Sequence, residues 1–273
     1  MNLVLLRLPK AAITIWCGCA FLHLAGCADA AGASPASARV TRVINKVSLQ
    51  SGSAVAVDQP VTDGSAIRTG ANSRVEMKSG AGAITRLGAN TVCEFQEGTR
   101  SLTLHQGVML FQVPPTAVRA TVRTGGITIE TAGTTGILER HSNAYVKLLL
   151  LEGTARAYLS AVGESVLVEA GQILIMKPGA QVLPEPAHFD IERLYRTSLL
   201  TNNDFAPLAS WLKIAAAIQK QRTDAGFTRT NLVIYGRGTN VTVLEPAAAS
   251  GASGQPRQQR LASPVTAGKS RPN

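Results

Sequence analysis

Short runs of β-forming residues, separated by turn residues, follow one another along most of the chain. From Val40 to about Leu183 glycine, asparagine, aspartate or serine separates these runs at intervals of about eight to ten residues. Regular short strands with turn signals are typical of an all-β sandwich, roll or solenoid. We therefore predict an all-β main domain at residues 40–183. The pattern leaves open whether its many short strands form a β-roll, a solenoid-like or a sandwich arrangement.

Two kinds of hydrophobic pattern occur inside these runs. In Arg74–Lys78 apolar and charged residues alternate, which directs the two types to opposite faces of a strand. Val146–Leu151 is instead almost continuously apolar. A strand that is covered on both faces, or one at a subunit contact, has this composition.

Turn residues set the predicted ends of the strands. The run Val40–Leu49 contains no glycine or proline and predicts one strand. By contrast, Gly107 separates Ser101–His105 from Val108–Val113, which predicts two strands joined by a turn.

The last third of the chain changes to a helical pattern. We predict a short helix at Asp190–Arg196. A longer helix is predicted to start at Asn202–Asp204 and to run from Phe205 to Gln221, with apolar residues at helical spacing. Such a helix packs on its own domain or on a partner. Its candidate interaction residues are Trp211, Lys213 and Lys220.

The helical segment is followed by two further regions. Asn231–Tyr235 and Asn240–Leu244 are predicted to form a strand pair, so that helix and strand pair together occupy residues 187–245. Residues 246–273 consist mainly of alanine, serine, glycine, proline, glutamine and arginine, a composition typical of a disordered basic tail.

The N-terminal segment is predicted to be a targeting signal rather than part of the folded domain. In residues 1–27 two basic residues precede an uncharged apolar stretch of about sixteen residues, which is the pattern of a secretory signal peptide. Leu24–Cys27 resembles the bacterial lipobox, which implies lipidation of Cys27 and, with Ala28 following, an outer-membrane lipoprotein facing the periplasm. Ordinary cleavage in the linker 28–39 and a retained anchor remain alternatives.

Net charge gives little information about partners once it is divided along the chain. The formal charge is +10, and such a surplus can indicate nucleic-acid binding. However, two basic residues lie in 1–27 and four in 246–273, and neither segment contains an acid. The middle of the chain keeps 21 basic and 17 acidic residues. We therefore expect no nucleic-acid partner. After export the tail would be solvated without a partner, or it would face anionic lipids or wall polymers.

Candidate chemistry is sparse. Once Cys17, Cys19 and Cys27 are assigned to the N-terminal segment, Cys93 stands alone in a predicted strand and is expected to be a small core residue. The four histidines have no metal-ligand spacing, and no phosphate-binding or nucleophile motif occurs. Glu152, Glu164 and Glu169 are interpreted as a solvated sheet face. We expect no catalytic, metal or cofactor-binding residue, and hence no enzyme.

Five segments in order resemble the FecR domain. They are residues 63–76, 84–91, 104–108, 122–136 and 151–172, and the resemblance covers about residues 40–180. It implies an all-β domain, often found in envelope proteins, with no catalytic activity. The family's namesake relays siderophore-transport status to a sigma factor through a cytoplasmic segment before its membrane span. Only about ten residues precede the apolar stretch here, so we carry over the domain and not the relay.

Three functions fit these observations. The first is a non-catalytic envelope binding or scaffold protein that contacts another envelope protein and is held to the membrane by its lipid. The second is a cell-wall or polysaccharide-binding module, for which Tyr145 and Tyr158 are the candidate stacking residues. The third is a component of surface signalling. The identity of the partner and the oligomeric state stay open.

Overall fold

The computed structural model describes residues 38–96, 101–117, 119–142, 144–177 and 179–224. The strands in these ranges are β1 Ala38–Ile44, β2 Val47–Leu49, β3 Pro60–Val61, β4 Ala66–Thr69, β5 Arg74–Ser79, β6 Ile84–Leu87, β7 Val92–Gln96, β8 Ser101–Val113, β9 Ala120–Thr124, β10 Ile127–Thr131, β11 Thr134–His141, β12 Tyr145–Glu152, β13 Thr154–Leu159, β14 Ser165–Glu169, β15 Gln172–Met176 and β16 Ala187–His188. The helices are α1 Ile191–Thr197 and α2 Trp211–Thr223. The prediction of an all-β domain followed by a short helical segment is confirmed.

The strands form two sheets that share β8. Sheet 1 has the order β3-β1-β5-β6-β8-β11-β12-β15-β16, and sheet 2 has the order β2-β4-β7-β8-β9-β10-β13-β14. The first half of β8 pairs with β7 and β9 in sheet 2, whereas its second half pairs with β6 and β11 in sheet 1. The pairing of β8 with β9 is parallel, and all other described pairings are antiparallel.

A single hydrophobic core lies between the two sheets, so the sandwich is the arrangement that the chain adopts. Alternate residues of most strands contribute to it, as the alternating pattern predicts. Sheet 1 provides Val75, Met109, Phe111, Leu148 and Leu174, among others, and sheet 2 provides Ile67, Leu104, Ile129, Ala157 and Val168.

A third layer, formed by residues 189–224, covers the outer face of sheet 1. Phe189, Ile191, Leu200, Phe205, Leu208, Ile214 and Ile218 pack there on Leu110, Ile137, Leu149, Leu151 and Ile173. Strand β12 therefore lies between two cores, with Leu148 and Leu150 in one and Leu149 and Leu151 in the other. Of the two interpretations of Val146–Leu151, the strand that is covered on both faces is confirmed.

Two predicted strand boundaries are wrong. The run Val40–Leu49 is interrupted because Asn45 has a φ of 58°, which breaks the extended backbone between β1 and β2. Gly107 has a φ of 93° but forms no turn. It lies inside the 13-residue strand β8, where the chain passes from sheet 2 to sheet 1.

The start of the long helix also differs from the prediction. Helix α2 begins at Trp211 with Ser210 as its N-cap, and not at Asn202–Asp204. Tertiary hydrogen bonds explain the difference, because the Ala206 carbonyl accepts from Arg86 Nη2 and the Ser210 amide donates to Gln112 Oε1. These are the two backbone groups that an earlier helix would have joined to each other. The prediction of the short helix is confirmed, with Asp190 as the N-cap of α1.

Several predicted segments lie outside the described residues. They are the signal peptide at 1–27 with Cys27, most of the linker 28–39, the strand pair at 231–235 and 240–244, and the tail 246–273. At the first boundary, β1 begins at Ala38, two residues before the predicted domain start. Within the described ranges, neither helix combines the length and apolarity needed to cross a membrane.

Candidate functional site

Arg86 connects the third layer to sheet 1 through hydrogen bonds. Its side chain is 1% exposed, and its Nε donates to Glu76 Oε2 at 2.7 Å. Its Nη1 and Nη2 donate to the carbonyl oxygens of Leu200 at 2.7 Å and Ala206 at 2.5 Å. The guanidinium also lies 4.7 Å from the centre of the Phe205 ring, within cation–π range. One side chain thus satisfies two carbonyls of the segment that precedes α2.

A chain of polar side chains joins the start of α2 to the same sheet. The Thr135 hydroxyl lies 2.8 Å from Glu152 Oε1 and 2.7 Å from Ser210 Oγ, and Ser210 donates to Gln112 Oε1. Burial raises the pKa of Glu152 above its ordinary value, against the lowering effects of the Thr135 hydroxyl and the Lys213 charge. A protonated Glu152 completes the chain, because each hydroxyl can then donate to the next acceptor.

The pKa of Glu152 leads to a prediction about pH. A raised pKa in the native state means that the folded chain binds this proton more tightly than the unfolded chain. The bound proton therefore stabilises the folded chain fully below the ordinary pKa of about 4.5. This contribution to the free energy of unfolding is lost as pH rises through the pKa of the native state. Glu152→Gln keeps an amide donor at every pH. We expect the variant to gain about 1 kcal/mol over the wild type between pH 4 and pH 8, measured by urea unfolding.

The exposed acid Glu169 provides the matched control for this prediction. Glu169→Gln removes an exposed carboxylate, so it measures the effect of the same substitution without burial at both pH values. If the free energy of unfolding of Glu152→Gln changed with pH in the same way as that of the wild type, this would contradict the assignment of the proton to Glu152.

A cleft of about 690 Å³ opens between α1 and the outer face of sheet 1. Its floor contains Lys147, which is 1% exposed and forms an ion pair of 2.7 Å with Glu139 Oε2. Burial lowers the pKa of Lys147, an effect that the Glu139 charge opposes. Tyr145 completes the cluster, because its hydroxyl donates to Glu139 Oε1 at 3.0 Å and its ring lies 4.2 Å from Lys147 Nζ.

The structure separates the two candidate stacking tyrosines. Tyr145 lies on the outer face of sheet 1, within the Glu139 cluster. Tyr158 lies on the outer face of sheet 2, where its hydroxyl is 3.5 Å from Glu130 Oε2. A sugar chain that stacks on adjacent rings cannot use both residues at once.

The three candidate residues of the long helix all lie on α2, and Leu212 adds a fourth position. Trp211 is 40% exposed, with its ring 4.8 Å from that of Tyr195, and Leu212 is 81% exposed. Lys213 and Lys220 are exposed two turns apart. Because α2 buries Ile214 and Ile218, the exposed Leu212 points away from the domain.

The remaining candidate groups are placed as follows. Cys93 is fully buried in the core, as predicted, and burial raises the pKa of its thiol to about 12. Glu164 and Glu169 are exposed, whereas Glu152 is buried under the third layer, so the interpretation of all three as a solvated face is wrong. In the part of the chain that the structure describes, no three histidine, cysteine, aspartate or glutamate residues form a metal-binding group.

Sequence reasoning missed the residues that join the third layer to the sheet. Glu76 lies between Val75 and Met77 and so alternates with apolar residues, as exposed strand residues do, while Arg86 follows Thr85. Nothing in these two strands indicates that residues 198–210 cover them. The isolated polar residue Gln112, which lies in the apolar run Met109–Val113, was the available signal, since such a residue needs a partner when buried.

Comparison with known proteins gives one family match. Residues 65–156 match the family model described as FecR protein, in the region where the sequence resembles that domain. No curated protein sequence matches the chain.

Two solved structures match the fold weakly. Both are described as a "putative anti-sigma factor" from Parabacteroides distasonis, at 12% and 13% identity with TM-scores of 0.42 and 0.41. Each match covers 47% of this chain and 62% of the other, so the chain spans less than two thirds of these relatives.

Proposed function

We propose, on the premise that residues 65–156 form a FecR-family domain, that this chain is a non-catalytic protein-binding module of the bacterial cell envelope. The observation that carries the proposal is the exposed face of α2. Trp211 and Leu212 are exposed side by side in the first turn of this helix, on the layer that covers sheet 1. Large apolar residues exposed together favour contact with another molecule.

The charge of this face indicates the chemistry of the partner. The exposed α2 positions 211, 212, 213, 216, 219, 220, 222 and 223 carry two lysines, one arginine and no acid, and the arginine, Arg222, pairs with Glu192 at 2.7 Å. An acidic protein surface with an apolar centre complements this arrangement, because opposite charges at the rim steer association while the apolar contact holds it. Helix α2 offers such a contact in a fixed orientation, since Arg86 and Ser210 join its N-terminal side to the sheet.

In-cell crosslinking of a tagged chain, followed by mass spectrometry, tests the proposal. We expect one dominant envelope protein, and Lys213→Glu with Lys220→Glu should reduce its recovery at least about tenfold. The control is Lys46→Glu with Lys78→Glu, which reverses two exposed lysines outside the third layer and should leave recovery unchanged.

Other outcomes of the same experiment would contradict the protein contact. Recovery of cell-wall fragments alone, lost on Tyr145→Ala or Tyr158→Ala, would assign the module to a glycan. If the envelope protein is recovered equally well with both double lysine variants, α2 is not the contact surface.

The location of the protein is part of the proposal. Lipidation of Cys27 would hold the module at the outer membrane on its periplasmic side, where an envelope partner is available. Cys27→Ser should then release the chain from the membrane fraction and leave the α2 contact intact in a pull-down. A variant that stays membrane-bound would overturn the lipid anchor alone.

Surface signalling is the second candidate function. The match to the FecR family model favours it. A membrane-spanning regulator recovered as the dominant crosslinked protein would select this role over that of a scaffold.

A further inference from the structure

In the part of the chain that the structure describes, the two sheets have four edges, and one of them differs from the other three. Sheet 1 ends in β3 and β16, each of two residues, and sheet 2 ends at one side in β2, of three residues. Very short edge strands of this kind protect a sheet against pairing with other chains. Strand β14, at the other end of sheet 2, has five residues, Ser165–Glu169.

The open side of β14 carries no such protection. Within the described residues, β13 is the one strand that pairs with it. Leu167 lies in the centre of the strand on the outer face and is 43% exposed, while Val166 and Val168 point to the core. The strand contains neither proline nor lysine, which are the residues that usually block an edge.

Exposed apolar residues also flank the start of β14. Val162 precedes it in the turn from β13 and is 45% exposed, and Val182 is 66% exposed. Val182 is near because the amide of its neighbour Leu183 donates to the Glu164 carboxylate at 3.1 Å. Exposed apolar side chains thus lie along the open side of β14, as in edges that accept an added strand. At its C-terminal end the Glu169 amide donates to Gln172 Oε1 at 2.9 Å, so an added strand would compete with this side chain for one amide.

We propose that β14 pairs with β14 of a second copy of this chain, antiparallel and across a two-fold axis at Leu167. Only this register overlaps all five residues of both strands. It places Leu167 opposite Leu167 of the other copy, Val166 opposite Val168, and Ser165 opposite Glu169.

The side chains in this register are complementary. Each Glu169 faces a serine, so that no like charges lie opposite each other, which would destabilise the pair. The two leucines meet on the outer face, and the valines continue the cores of both copies on the inner face. Such an isologous contact closes with two copies and leaves no open end for a fibre.

Cysteine crosslinking tests the register directly. Residues opposed in an antiparallel pair have Cα atoms about 4.5–5.5 Å apart, within the range that a disulfide bridges. Leu167→Cys should therefore form a disulfide-linked dimer under mild oxidation at least about tenfold faster than Val57→Cys. Val57 is a suitable control because it is 51% exposed and lies between β2 and β3 in the chain. Strand β2 is at the opposite end of sheet 2 from β14.

Sedimentation of the full chain provides the second measurement. We expect twice the monomer mass at tens of micromolar, and the monomer mass for Leu167→Lys, since two lysines would then face each other across the axis. A native circular-dichroism spectrum of Leu167→Lys ensures that lost pairing is not lost folding. A monomeric wild type, a dimer that Leu167→Lys leaves intact, or equal crosslinking of both cysteine variants would overturn the proposal.

Failure of this proposal and failure of the proposed function can be distinguished. The edge at β14 belongs to sheet 2, whereas α2 covers the outer face of sheet 1. Leu167→Lys should leave the crosslinked envelope partner in place, and Lys213→Glu with Lys220→Glu should leave the dimer in place.

Discussion

Replacing Arg86 by methionine is expected to lower the free energy of unfolding by about 3–5 kcal/mol. The change leaves the Glu76 carboxylate buried with the Thr41 hydroxyl as its remaining partner, 2.7 Å from Oε1. It also removes the donor of the Leu200 and Ala206 carbonyls. Methionine retains most of the aliphatic volume, so the decrease in the free energy of unfolding measures the loss of polar contacts rather than the creation of a cavity.

Urea unfolding and amide hydrogen exchange measure this effect. The exchange rate should rise most in residues 198–210, because that segment loses its attachment before the sandwich opens. Arg119→Met is the matched control. Arg119 pairs with Glu130 at 2.9 Å but is 69% exposed, and exposed pairs contribute less than about 1 kcal/mol.

A double variant separates the two consequences of the Arg86 change. Adding Glu76→Gln to Arg86→Met removes the unpaired charge and should recover part of the lost stability. If Arg86→Met destabilises no more than Arg119→Met, the third layer does not depend on this side chain.

Gly107→Ala is expected to cost about 3 kcal/mol or more, because two separate penalties add. The φ of 93° is unfavourable for any residue with a Cβ, by about 1–2 kcal/mol. A Cβ at this position would also lie 2.3 Å from Thr91 Oγ1 and 2.6 Å from Thr91 Cα. Thr91 cannot move aside freely, since its hydroxyl accepts the Val108 amide at 3.0 Å and its own backbone is buried.

Gly126→Ala separates strain from steric overlap. Gly126 has a φ of 85° and no atom within 4 Å of an added Cβ, so that variant should lose about 1–2 kcal/mol. The difference between the two variants in thermal unfolding measures the contact with Thr91. Equal losses would mean that β8 can shift at the crossing between the sheets without cost.

The effect of Gly107 arises from its place in the topology. Strand β8 is the one described strand that belongs to both sheets, and its pairing with β7 carries a register shift next to this glycine. Strands that pass from one sheet to another need a bend or a bulge. Any displacement at Gly107 is therefore transmitted to the pairs on both sides.

The strands and their inward faces could be predicted from the sequence because they depend on local periodicity. Alternation in Arg74–Lys78 placed Val75 and Met77 in the core, and the apolar run at Val146–Leu151 indicated a strand covered twice. Turn chemistry was less decisive, since Gly107 supplies a positive φ within a strand rather than between two strands. A glycine permits dihedral angles that other residues avoid, but its presence does not indicate how the neighbouring segments pair.

The sequence by itself determined the all-β class, the resemblance to the FecR domain and the position of the short helix, and it left the arrangement of the sheets open. Only the tertiary structure decided which polar residues are buried. Arg86, Glu76 and Glu152 occupy outward-facing positions that local patterns associate with water, and residues 189–224 cover them. The start of α2 was decided in the same way, by Arg86 and Gln112. The reason is that burial of an outward face depends on contacts between segments far apart in the chain, such as Arg86 and Ala206, which are separated by 120 residues. Hydrophobic periodicity contains information only about neighbours along the chain.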